Sequence, residues 1–443
     1  MLSLTYAALP RATYISDVSD EELLKKMHDK RNAWKNYKRL SNKRYNHLFE
    51  KFKSNRIRTR IVNDAKGKIE NILITVPAYY NRRKPEEYIY PPDARTLKTL
   101  LRNLSLHPRK YTVLCQINQV EIIDSWFKDL EVPESDCTIC SSVFNYSLWA
   151  QDAYLALQDD TENMILGEGI CFTREHDMCV ADDVSCQSDI ITKMTHLYFQ
   201  GGNILQAGEY VIIGKDYIID NVGRIFLEDE AKVINEFEML LGLPVITLGT
   251  DDIIPQNHRQ LMGGGVYQPI FHIDMYVTPT GVKGKDGKEI IFIGSPSLAR
   301  EILEQQPRDE DFDLYFDQAT FQLNHYYDVR RLPLLPTSYV AKNRKHYYLT
   351  YNNAIVESYS ENDKAFNHVY LPTYAMDVDD FKKDQDFEEY NGDVNDYLKL
   401  DTAAKEIWES IGFTVYQMDG LEDLAMSWGS VHCIAKTLKR SKT

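Results

Sequence analysis

The sequence predicts a mixed α/β fold, on three grounds. From about residue 68, short runs rich in β-branched and aromatic residues recur, and such runs favour strands. Segments with apolar residues at helical spacing lie between them. The turn Ala207-Gly208-Glu209, between Asn203-Ile-Leu and Tyr210-Val-Ile, reads as a hairpin, so the sheet is at least partly antiparallel.

In chain order, Ser19-Asp-Glu-Glu22 reads as a capping box that opens a helix. Leu23, Met27, Trp34, Tyr37, Leu48 and Phe52 then fall near helical spacing, with Lys and Arg between them, so residues 19–55 are expected to form one or two basic amphipathic helices. Strands are expected at Ile72–Val76, Tyr111–Leu114, Tyr210–Ile213, Val245–Leu248, Ile290–Ile293 and Phe413–Tyr416. Helices are expected at Asp93–Asn103, Glu230–Leu241 and Thr402–Ile411. Residues 377–401 are dense in Asp and Glu and read as a surface insertion; they lack the spacing of an EF-hand loop. No sequence repeat of fixed period is present.

At 443 residues the chain exceeds the roughly 250–300 at which a single core stops growing. Its formal net charge of −15 argues against a protein that coats nucleic acid. The charge is unevenly spread. Residues 1–66 hold 16 Lys and Arg against 7 Asp and Glu, and residues 67–443 hold 35 against 59. This divides the chain into a basic helical N-terminal extension, 1–66, and an acidic body, 67–443. The extension reads either as an arm with a solvated basic face or as a docking arm for an acidic partner, nucleic acid or an anionic membrane surface. No run approaches the roughly 18 apolar residues of a membrane span. Met1 to Ser16 lacks the pattern of a cleaved signal peptide. Seven Cys, an odd number in a long chain, do not resemble a disulfide framework. A cytoplasmic setting is the expectation, although export by a signal-independent route leaves no mark in a sequence.

Phosphate-binding G-x-x-x-x-G-K-[ST], G-x-G-x-x-G, H-E-x-x-H and G-x-S-x-G motifs are all absent. Cys137-Thr-Ile-Cys140 is a lone C-x-x-C in a strand-like stretch and reads as two ordinary buried cysteines. Cys171, His176, Cys179 and Cys186 cluster in sequence, but their spacing fits no standard zinc module.

Four segments carry chemistry: Trp149-Ala-Gln-Asp152; Phe199-Gln-Gly-Gly-Asn203; Phe271-His-Ile-Asp274, preceded by Gly263-Gly264-Gly265; and Gly429-Ser-Val-His-Cys433 near the C-terminus. Together they resemble the guanidine-modifying, or pentein, superfamily, over about residues 70–440. The order W-x-x-D, G-G-N, H-x-D, G-x-x-H-C carries the resemblance. The W-x-Q-D form and the C-terminal Gly429–Cys433 look most like the catalytic domain of peptidylarginine deiminase. Gln200 departs from the E-G-G of small-molecule deiminases.

This resemblance implies an α/β propeller of about five ββαβ units with the site in a central pit. It also implies a hydrolase that deiminates arginine, in a protein or peptide, to citrulline and ammonia. An amidinotransferase and an agmatine or free-arginine deiminase are the alternatives. The chemistry of the residues agrees. A guanidinium is planar and permanently charged, so an enzyme acting on its carbon needs carboxylates, a soft nucleophile and an acid for the leaving amine. Asp152 and Asp274 would bind the guanidinium, Cys433 would attack as thiolate, and His272 would serve as acid and then base. Trp149 would stack along the substrate stem. Gly202 and Asn353, in Asn352-Asn353, are further substrate-binding candidates. His432 is expected to support rather than react. No metal and no organic cofactor is called for. The immunoglobulin-like calcium-binding domains of the animal enzymes have no counterpart here, so calcium dependence does not carry over.

Overall fold

The computed structural model describes residues 58–77 and 94–441, except 170–173, 175, 226–228, 263, 340–344, 376–393, 420, 422–423 and 426; nearer the N-terminus it describes 21, 25, 28, 29 and 32. The expected basic helices over 19–55 otherwise lie outside the described residues, as do Cys171 and most of the acidic 377–401 segment.

From residue 58 onward the described elements are first β1 (Thr59–Ile61), β2 (Ile69–Val76), α1 (Ala94–Ser105), β3 (Lys110–Gln116), α2 (Val120–Asp129) and β4 (Cys137–Ser142). Next come β5 (Tyr154–Asp159), β6 (Met164–Glu168), α3 (Val180–Cys186) and β7 (Ile191–Met194). They are followed by β8 (Ile204–Ala207), β9 (Tyr210–Gly214), α4 (Lys215–Ile225), α5 (Glu230–Leu241), β10 (Val245–Leu248) and α6 (Gln256–Met262). Then follow β11 (Val277–Lys283), β12 (Glu289–Ser295), α7 (Pro296–Ile302), α8 (Asp313–Asn324), β13 (Asp328–Tyr339) and β14 (Lys345–Thr350). The chain ends with β15 (Ile355–Glu361), β16 (Lys364–Pro372), α9 (Val394–Ser410), β17 (Thr414–Met418) and β18 (Ala435–Arg440).

Local chemistry sets these boundaries. The sequence Ile-Glu-Asn-Ile-Leu-Ile-Thr-Val of β2 is buried almost throughout, the pattern of a strand covered on both faces. Helix α5 starts where the Asp229 side chain accepts from Lys232 N and stops at Gly242, whose φ of 71° closes the last turn. Helix α7 starts at Ser295, which accepts from Leu298 N, with Pro at the first helical position. The β8–β9 pair is the hairpin read from Ala207-Gly208-Glu209, with Gly208 at φ 57°.

Among the described residues the strands form five sheets: β1-β5-β6-β7, β10-β9-β8, β11-β12-β13-β14, β15-β16-β17 and β18-β2-β3-β4. Each contains the same connection. An antiparallel pair leads through helix to a strand that pairs in parallel with the second of the pair. The pairs are β5–β6 then β7, β8–β9 then β10, β11–β12 then β13, β15–β16 then β17, and β18–β2 then β3. A parallel partner cannot be reached by a tight turn, so each unit needs its crossover. In the last unit the C-terminal β18 supplies the first strand and β2 the second.

Three boundaries differ from the sequence reading. Residues 59–61, placed in the extension by charge, form β1 and pair with β5 of the body. Residues 394–401, placed in the acidic insertion, form the first half of α9, whose Asp401 is buried and accepts from Tyr374 N, Ala375 N and the Tyr351 hydroxyl. The acid density there marks a helix face with one inward carboxylate. The helix expected at Thr402–Ile411 therefore begins at Val394. Among the described residues, no helix is long and apolar enough to cross a membrane.

Candidate active site

The sequence motifs converge because each sits at the same place in its unit, just before the first strand. Asp152 precedes β5, the Gly201–Asn203 turn precedes β8, the Ile273–Met275 turn precedes β11, Asn352 and Asn353 precede β15, and the His432–Ile434 turn precedes β18. Backbone and side-chain bonds interlock these turns. Gly201 N donates to Asp152 O at 2.9 Å, and Gln151 N donates to Cys433 O at 3.1 Å. The Asn203 carboxamide oxygen accepts from Ile273 N at 3.1 Å and from Gln268 Nε2 at 2.8 Å.

The glycines are required by space. A Cβ on Gly201 would lie 2.0 Å from Gln151 O. One on Gly202 would lie 2.6 Å from His272 Nδ1 and 3.1 Å from Asp274 Oδ2. One on Gly429 would lie 2.2 Å from the Trp149 ring, so Trp149 backs the turn that carries Cys433.

Cys433 is buried. Its N donates to Asn353 Oδ1 at 3.1 Å, Asn353 Nδ2 reaches Sγ at 3.2 Å, and Asp274 Oδ2 lies 3.6 Å from Sγ. Burial, then the charges of Asp274 and Asp152, push the thiol well above its usual range, against the hydrogen bonds of Ser430 and Asn353. His272 is also buried; its Nε2 bonds Gln200 Oε1 at 2.9 Å and lies 3.3 Å from the Tyr217 hydroxyl. Burial lowers the imidazole, against the pull of Asp152 and Asp274. Burial thus biases both thiol and imidazole towards their neutral forms.

The two carboxylates are each half used. Asp152 Oδ2 accepts from Arg174 at 2.8 Å, and Asp274 Oδ2 accepts from His432 Nδ1 at 2.8 Å. The other oxygen of each, Asp152 Oδ1 and Asp274 Oδ1, is buried with no hydrogen-bond partner among the described residues. Asp152 Oδ1 lies 3.8 Å from His272 Nδ1. Two buried, unsatisfied carboxylate oxygens are costly and call for a donor.

The structure thus brings together Cys433, His272, Asp152, Asp274, Gly202 and Asn353, all singled out from the sequence, with Trp149 behind them. His272 is extended, but Asp274 lies in a one-turn 3-10 helix, not on an alternating strand. The turn suits the site because it frees the segment from the ladder while Asn203 holds it.

Gln200 stands out in the sequence only as a departure from E-G-G, with no role at the site; Tyr217, Arg174 and Lys436 belong to no motif and were missed. Arg174 bridges Asp152 and Asp177; burial opposes its charge, but Asp177 and Asp152 more than offset this. Lys436, on β18, is buried and lowered to about 8 by burial, against Asp64, Asp152 and Asp274. Cys137 and Cys140 are free thiols pushed up to about 12 by burial, as inert cysteines are.

No protein-family model matches the sequence, and a search of curated proteins finds no match. Solved structures do match. A protein assigned as an agmatine deiminase in a structural-genomics programme aligns at a TM-score of 0.59 and 14% identity, over 87% of this chain and 96% of its own. The agmatine deiminase of C. jejuni aligns at 0.54 and 14%, over 87% and 96%. That of Enterococcus faecalis aligns at 0.54 and 12%, over 86% and 96%. The chain shares the pentein α/β fold of these proteins.

Proposed function

We propose that this protein is a Cys-dependent hydrolase that deiminates a guanidinium group, with its five sheets as the blades of a propeller around the site. One observation carries the reading. Asp152 Oδ1 and Asp274 Oδ1 are buried, unpartnered acceptors beside a buried thiol and imidazole. A guanidinium offers five N–H donors in a planar fork and a fixed positive charge, which satisfies both oxygens at once.

Binding brings a positive charge to a thiol that the site's carboxylates otherwise keep neutral. The bound cation favours the thiolate, and the proton released from Sγ passes to His272. The thiolate then forms a bond to the guanidinium carbon. His272 gives its proton to one departing nitrogen, the C–N bond breaks, and ammonia leaves a thiouronium on Cys433. Neutral His272 next takes a proton from water as hydroxide adds to the same carbon; the C–S bond then breaks, the urea carbonyl forms as the hydroxyl proton leaves to solvent, and the departing thiolate regains the proton held by His272. Gln200 and Tyr217 hold the imidazole for both steps. The scheme calls on no metal or organic cofactor. The excess of acid in residues 67–443 supplies a field that attracts a cationic substrate.

Two substrates have separate support. Gln151 and Gln200, in place of the residues of small-molecule deiminases, favour arginine within a protein or peptide. The fold neighbours favour agmatine. The test is a citrulline-type colorimetric assay with ammonia detection, offering a peptide arginine, free arginine and agmatine to the wild type and to Cys433→Ala. Ureido product and ammonia from one of these with the wild type, and none with Cys433→Ala, is the expected result. Turnover retained in Cys433→Ala, or consumption only when an acceptor amine is added, would sink hydrolysis through Cys433.

A further inference from the structure

Asp64 belongs to none of the four motifs, yet it faces the site from behind. His432 Nδ1 bonds Asp274 Oδ2 at 2.8 Å, and His432 Nε2 lies 3.5 Å from Asp64 Oδ1. Both ring nitrogens thus face carboxylates, which an imidazole can satisfy only with a proton on each. Asp64 is itself fixed. Its Oδ2 accepts from Gln206 N of β8 at 2.5 Å, and its carbonyl accepts from Arg440 of β18 at 2.7 Å. The line Asp64–His432–Asp274 therefore runs from two strands of the scaffold to the carboxylate beside Cys433.

We propose that Asp64 and His432 are positioning residues, a buried carboxylate–imidazolium–carboxylate line that holds Asp274 Oδ2 so that Oδ1 is presented to the substrate guanidinium. The inference rests on the hydrolase reading for what Asp274 binds, but the line itself stands on geometry. The turn that carries Asp274 has little else to orient the side chain: its Oδ1 is unpartnered among the described residues, and Oδ2 has only His432 and the weak Cys433 contact at 3.6 Å. A doubly bonded imidazolium between two fixed points supplies that orientation. The titratable groups that act on the ring are Asp274, Asp64 and His272, and Lys436 interacts with the same two carboxylates. Burial opposes the His432 charge, but its bonds to Asp274 and Asp64 push it up to about 9.

Two measurements test this, one independent of turnover. In full-length protein labelled with 15N-histidine, the His432 ring is expected to remain protonated at pH 7.5. In Asp64→Asn it is expected to lose its proton at a lower pH, with Asp64→Glu recovering the wild-type behaviour. Calorimetric binding of agmatine and of N-acetyl-arginine amide is then measured in the inactive Cys433→Ala background. Adding Asp64→Asn is expected to weaken the better-bound probe about tenfold, the scale of one charge-assisted hydrogen bond. In the active enzyme the same change is expected to raise KM more than it lowers kcat. A His432 ring that titrates at the same pH in wild type and Asp64→Asn, or unchanged affinity in the double variant, overturns the line. If the wild type turns over no guanidinium compound while Asp64→Asn still shifts His432, the hydrolase reading falls and the line stands.

Discussion

Cys433 has a nucleophile's surroundings and an unreactive thiol's acidity. Burial and two carboxylates hold it neutral, so the thiolate fraction of the free protein is small near pH 7 and rises about tenfold per pH unit below the thiol's raised value. Alkylation of Cys433 by iodoacetamide, located by mass spectrometry, is therefore expected to be slow at pH 7 and to accelerate by about a hundredfold towards pH 9. A rate that is flat over this range would mean a thiolate already formed, and the substrate would have no part in ionising it. Cys433, His272, Asp152 and Asp274, which the fold brings together, were legible in the sequence because each belongs to a short motif of fixed order. The roles of Gln200, Arg174 and Asp64 were not, because each acts through a partner distant in the chain: Gln200 through His272, Arg174 through Asp152, 22 residues earlier, and Asp64 through His432.

At the scale of elements, the strands and helices read from apolar pattern match their positions closely, yet the repetition of the ββαβ connection left no sequence repeat. The connection demands only alternating buried strands and a covering helix, and many sequences satisfy that. What the units do share is position, a functional turn before each first strand, and the turns differ in sequence because each supplies a different group. The N-terminal boundary was misread for a different reason. Charge composition averages over residues 1–66 and cannot register that three of them complete a sheet. Gly242 shows how closely β1 is packed. It ends α5 at φ 71°, and a Cβ there would lie 2.7 Å from Thr59 O. Gly242→Ala is expected to cost about 1–2 kcal/mol through left-handed strain and the displaced strand, read as a lower midpoint in urea unfolding. Unchanged stability would mean that β1 is not held against α5.

The whole molecule is tied together near its termini by one side chain. Arg440, the last residue of β18, is buried, and its guanidinium donates to four backbone carbonyls: Ala65 at 3.0 Å, Gly67 at 2.8 Å, Asp64 at 2.7 Å and Val356 at 2.7 Å. These acceptors lie in the β1–β2 connection and in β15, so one residue ties the sheet of β18 to that connection and to the sheet of β15. No motif or periodicity in Thr-Leu-Lys-Arg announces this; to the sequence Arg440 is one more basic residue at a basic end. Arg440→Ala removes this donor from all four carbonyls, of which Ala65 O keeps a bond from Ser358 N at 2.9 Å. At about 1–3 kcal/mol for each buried group left unsatisfied, and with water reaching some of them, a loss of at least about 3 kcal/mol is expected. Arg440→Lys keeps the charge but cannot reach carbonyls on both segments with one ammonium, so it is expected to recover only a minor part. Urea unfolding of the three proteins at one pH measures this directly. Because the same guanidinium holds the carbonyl of Asp64, the lysine variant is also expected to bind guanidinium probes more weakly while still folded. An Arg440→Lys protein as stable as the wild type would show that the positive charge at this point, not the four-way fork, is what the fold uses.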